Sequence, residues 1–218
     1  MGLDLILEGS AKAGHEAEWL RLLERSFSSS STAGGDLSDA EFARFDEISI
    51  PAYTRIGAPR VGTDAAADAW IIETKRAQTP EDVAQILREF DGYYVLRLCE
   101  CDGIPAYSNA GFYEGIDETS FRGSFLEDCR DVISQALLEA AWENKLPEAA
   151  IDYGKALLAA ANAAEASPLP APRGVLSRLR LRKSPDRVPL PEQLDIVRAA
   201  GRWFIFWGER GHPVRAYF

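Results

Sequence analysis

Residues 191–218 read PEQLDIVRAAGRWFIFWGERGHPVRAYF, and the division of this stretch into elements decides the fold. Pro191 and Glu192 suit the first turn of a helix, which the spacing carries to about Ala200. Gly201 is placed to stop it. Trp203, Phe204, Phe206 and Trp207 are of the aromatic type enriched in strands, so 203–207 predicts a strand. Gly211, His212 and Pro213 turn the chain, and 214–218 predicts a last strand.

A similar order occurs upstream. Thr79 caps a helix, Pro80 takes its first position, and Glu81 and Asp82 oppose the helix dipole. Val83, Ile86, Leu87 and Phe90 fall at i, i+3, i+4 and i+7, and Gly92 ends the helix. Residues 93–101 predict a strand, and Asp102-Gly103 a hairpin turn into 104–108. A duplicated helix–hairpin unit is one explanation of the parallel. The other is that any helix-to-hairpin connection places Pro at the start and Gly at the stops.

Outward from these stretches, Leu3, Leu5 and Leu7 alternate with Asp4 and Glu8, the period of a half-buried strand. A helix follows over 14–27, then a Ser/Gly loop to Gly35. Ser38 and Glu41 form a capping box that opens a helix to about Ile48. Residues 50–63 read as irregular and 64–76 as helical. A long helix is expected over 120–143, with Phe125, Cys129, Val132, Ile133, Ala136 and Ala140 on one face. Asn144, Lys145 and Leu146 turn it into an Ala-rich helix over 147–165, which makes a helical hairpin. The expected fold is α+β: an antiparallel sheet of about five or six short strands with packed helices and that hairpin. One domain, 1–218, is favoured over two. The 51 residues after 167 are few for an independent core, and 167–191, with six prolines, reads as a crossing arm.

An apolar content of 46% and a charged content of 27% exclude disorder, collagen and coiled coil as descriptions of the whole chain. The longest strongly apolar run, 203–207, is far short of a spanning helix, so no membrane partner is expected. No signal segment or sequon is read, and three cysteines are no disulfide framework; a cytoplasmic compartment is expected. The net charge is −10, yet Arg173, Arg178, Arg180, Arg182, Lys183 and Arg187 against Asp186 give +5 over 173–187. That strip could meet nucleic acid, but the acidic remainder repels phosphates, so an arm laid on the body is the simpler reading.

The motifs for nucleotide, zinc-protease and serine-hydrolase chemistry do not occur. Residues 57–63 have P-loop glycine spacing without its lysine. The leading site candidate is the loop at 109–122. Glu114, Asp117 and Glu118 could supply an acid/base pair. Asn109, Tyr113, Thr119, Ser120 and Arg122 could bind a ligand, with an anion at the amides of the helix expected from Ser120. The alternative is an ordinary acidic helix start. Cys99 and Cys101 would share a strand face with Arg97, a setting for lowered thiol pKa or two soft metal ligands; Cys129 reads as core. His15 and His212 read as surface or capping residues. No cofactor is expected. The favoured function is a non-catalytic binding or interaction protein, an acidic inhibitor or adaptor with a possible protein partner. The alternatives are a hydrolase or group-transfer enzyme at 109–122 and a redox or metal protein at Cys99 and Cys101.

Overall fold

Alternation at the N-terminus produces strand β1, Asp4–Leu7, with Leu3 and Leu5 buried and Ile6 turned outward. In the computed structural model, which describes residues 2–28, 37–99, 120–166 and 188–218, β1 is the centre of a three-stranded sheet. Its neighbours are β4, Ser120–Phe121, and β5, Val214–Tyr217, both antiparallel. Leu5 lies opposite Phe121 on one side and Ala216 on the other, so one buried face carries all three. A second pair joins β2, Ser10–Ala11, to β3, Ser49–Ile50. The fold is α+β, as expected, but among the described residues two smaller sheets stand where a single sheet of five or six strands was expected.

The strand expected over 203–207 is helix, and the one expected over 104–108 lies outside the described residues. Helix α8 runs unbroken over Leu190–Gly208, through Gly201 and the aromatic run. Leu194, Val197, Ala200, Trp203, Phe204 and Trp207 are buried at helical spacing. Trp203 meets Phe121 at 5.8 Å, and Phe204 meets Tyr153 edge-on at 4.8 Å. Gly201 marks a close crossing rather than a helix stop. A Cβ there would lie 2.9 Å from the Gly154 carbonyl and 2.8 Å from Leu158 Cγ. Gly154 belongs to α7, Pro147–Ala166, so the helical hairpin is α7 with α8. The duplicated helix–hairpin unit falls with the 203–207 strand.

The long helix expected over 120–143 does not form. Ser120 and Phe121 pair with β1, and a Cβ at Gly123 would meet Leu3 at 2.7 Å, so the chain is drawn under the sheet. A 3₁₀ segment, Gly123–Cys129, follows, and then α6, Gln135–Ala140, capped by Ser134. Gln193 of α8 clasps this region: its amide donates to Asp131 Oδ2 at 3.0 Å and to the Val188 carbonyl at 2.7 Å.

Two smaller apolar clusters adjoin. One joins α1, Glu16–Ser28, to α2, Asp39–Glu47, through Trp19, Leu22, Leu23 and Phe45. The capping box of Ser38 with Glu41 is present. The short helix α3, Ala52–Arg55, follows β3. The other cluster holds α4, Ala65–Thr74, against α5, Pro80–Glu89, around Ile71, Phe90 and Val95. Thr79 and Asp82 cap α5 reciprocally. Tyr94 makes one bridge with Arg60, but Leu96–Leu98 turns as 3₁₀, so the described part of 93–101 is not a regular strand. No described helix is long and apolar enough to cross a membrane.

Candidate functional site

Of the expected site residues, Asn109, Tyr113, Glu114, Asp117, Glu118, Thr119 and Cys101 lie outside the described residues. Ser120 is a half-buried strand residue opposite Ile6, so no helix begins there to offer its amides to an anion. Arg122 Nε is 3.2 Å from Asp4 Oδ1 across the outer face of the sheet. Cys99 follows the 3₁₀ turn and is half-buried, with its amide bonded to the Leu96 carbonyl at 3.0 Å. The strand face that was to align the thiols is therefore lost on its described side. No group of three His, Cys, Asp or Glu among the described residues could hold a metal ion. Cys129 is core: burial, with Asp128 and Glu192 nearby, pushes its thiol up to about 12.

The other buried titratable groups are structural as well, and among them the Tyr153 hydroxyl donates to the Leu137 carbonyl at 2.8 Å. His212, expected in a turn as a surface or capping residue, is in the α8–β5 turn but fully buried. Its Nδ1 is 2.9 Å from the Glu8 carbonyl, its ring stands edge-on to Trp207 at 5.4 Å, and its Nε2 has no hydrogen-bond partner among the described residues. Burial lowers its pKa to about 4, and Arg55 and Arg210 push the same way. It is neutral at pH 7. The Lys145 ammonium, lowered to about 8 by burial, donates to the carbonyls of Ala140 and Glu143 and caps the end of α6. His15 precedes α1, and its carbonyl accepts from the Trp19 amide at 2.9 Å.

The structure assembles a groove that the sequence did not single out. Gly208 brings the end of α8 against the start of α7, where a Cβ would lie 2.8 Å from the Pro147 carbonyl. This closes one end of the hairpin and leaves a cavity of about 440 Å³ between it, α1, β2 and the end of α3. Its walls are mostly apolar: Trp19, Leu20, Leu146, Pro147 and Ile151. Trp19 is fixed by its indole N–H, which donates to the Gly9 carbonyl at 3.0 Å.

Three carboxylates, Glu16, Glu148 and Glu209, stand on the groove with one guanidinium, Arg55. Amide hydrogen bonds at its own position and from Gly14 hold the Glu16 carboxyl below the usual range. Among the described residues, Glu148 and Glu209 have no ion-pair partner. Arg55 Nη2 donates to Oγ of the buried Ser10 at 3.1 Å and pairs with no described carboxylate. A second hollow of about 470 Å³ lies between β1 and the α2–β3–α3 stretch, but its Glu8 carboxylate is already held by Arg215.

Family models, curated proteins and solved structures yield no match to this chain. Nothing in the sequence marked the groove. Its residues come from five elements, and Glu209 stands out only once α8 is known to end beside it.

Proposed function

We propose that this chain is a non-catalytic binding protein whose partner seats in the groove at the closed end of the α7–α8 hairpin. One observation carries the proposal: apolar walls of ligand-pocket size are rimmed by carboxylates that make no ion pair among the described residues. A surface that buries apolar side chains and leaves charged groups without protein partners is arranged for a second molecule. The buried described groups with strong shifts support the non-catalytic part of the reading: His212, Lys145, Cys129 and Tyr153 are each spent on packing, capping or a backbone hydrogen bond and do not line the groove.

The test is affinity capture from the source lysate, with immobilised full chain beside Leu20→Asp. Leu20 lines the groove and is 37% exposed, so the change leaves the core intact. The expected result is one stoichiometric partner retained by the native chain and lost by the variant at unchanged melting temperature. Equal retention by both, or no retained protein at low salt, overturns the proposal.

A further inference from the structure

We infer that the groove takes a basic peptide segment of a partner protein, an inference that rests on the binding reading above. The segment's Lys or Arg stem lies on the Trp19 and Ile151 wall, and its charged head is met by Glu148 and Glu209.

Three features carry this. Glu209 is the C-cap of α8, the negative end of the helix dipole, where a carboxylate is unfavourable and a cation is favoured. Its neighbour Arg210 does not neutralise it. That guanidinium donates to the Phe206 carbonyl and lies over the Phe206 ring at 3.5 Å. A cation at this point answers both the carboxylate and the helix terminus. Next, an apolar wall with a carboxylate rim matches the two halves of a long basic side chain, an aliphatic stem and a hydrated head. The net charge of −10 then steers basic partners in and keeps phosphate-bearing ones out. Arg55 repels cations at the β2 end, and this sets the direction of the segment: its donors there suit a backbone carbonyl or a terminal carboxylate.

The chain's own basic stretch at 173–187 lies outside the described residues.

The experiment titrates the full chain calorimetrically with a peptide of about twelve alternating Leu and Arg residues, beside Leu–Gln and Leu–Glu counterparts. Variants are Leu20→Asp, Glu148→Lys with Glu209→Lys, and Glu81→Lys with Glu89→Lys on α5 as a control of equal net charge. The Leu–Arg peptide should bind one per chain. It should weaken about tenfold or more with the groove charges reversed and about twofold or less with the α5 charges reversed. Equal weakening by the α5 pair would mean that net charge alone acts, and overturns the inference. Equal binding of Leu–Gln, abolished by Leu20→Asp, would leave the groove as a binding site and overturn its basic specificity. No binding tighter than about 1 mM also overturns the inference, and the lysate capture then decides the binding reading separately.

Discussion

His212 shows how a single residue's setting converts into a pH response. Its imidazole donates through Nδ1 to the Glu8 carbonyl and leaves the buried Nε2 without a partner among the described residues, so protonation would place a charge there with no described acceptor. The pKa is lowered to about 4 in the folded chain and is near 6.5 in the unfolded one. Between these values the unfolded state binds more protons, so stability falls as pH drops from about 6.5 through about 4, and the penalty is absent above that window. Integrated from about pH 7 to about pH 4.5, this one residue costs about 2–3 kcal/mol. His212→Phe, compared with the native chain by urea unfolding at both values, should remove that part of the acid loss, although it destabilises at pH 7 by orphaning the Glu8 carbonyl. Parallel losses in the two proteins would show that His212 is not the acid-sensitive group.

Among the elements, α8 is where local signals and tertiary packing disagree. Gly201 and the aromatic run argued for a stop and a strand, since Gly costs about 1 kcal/mol inside a helix and aromatics favour sheets. What overrode them is a close helix crossing at Gly154, Gly201 and Gly208, which buries Trp203, Phe204 and Trp207 on α7 and the sheet. Gly201→Ala separates the two accounts. At an uncrowded helical site it would stabilise by up to about 1 kcal/mol. Here the new methyl meets the Gly154 carbonyl and Leu158, so the hairpin must open, and the net loss should be about 1–2 kcal/mol by urea unfolding. A gain would show that the helices are not in contact there.

The elements that were legible carry their information within a few residues. The capping boxes at Ser38 and Thr79, the alternation of β1 and the final strand β5 are of this kind. The illegible ones depend on distant partners: β4 needs β1 beside it, and 120–143 breaks because Gly123 slides under Leu3. The groove belongs to the same class. Trp19, Arg55, Ile151 and Glu209 have no common spacing, and only the folded chain makes them neighbours. The loop at 109–119, which the sequence favoured on composition, lies outside the described residues, and its described neighbours Ser120 and Arg122 are a strand residue and an ion-pair partner.

For the molecule as a whole, charge links stability to function. The ion pairs are short-range contacts, such as Arg44 with Glu18 at 2.8 Å, and each exposed pair contributes about 0–1 kcal/mol. The excess of −10 is a long-range cost, felt over distances comparable with the Debye length of about 8–10 Å. Salt therefore relieves the repulsion more than it weakens the contacts. Glu209 is exposed, without an ion-pair partner among the described residues, at the wrong end of a helix dipole, and adds to that excess. Glu209→Lys takes the net charge from −10 to −8 and places a cation where the α8 carbonyls favour one. It should stabilise the free protein by about 0.5–1 kcal/mol at low salt, and the gain should shrink at about 300 mM salt because both contributions are screened. The same substitution should weaken the basic ligand, since it replaces the carboxylate that meets the ligand's cation with a like charge. Thermal unfolding of the two proteins at low and high salt reads the first half, and peptide titration reads the second. A destabilised Glu209→Lys would make the carboxylate part of the fold and remove the main reason to place a cation beside it.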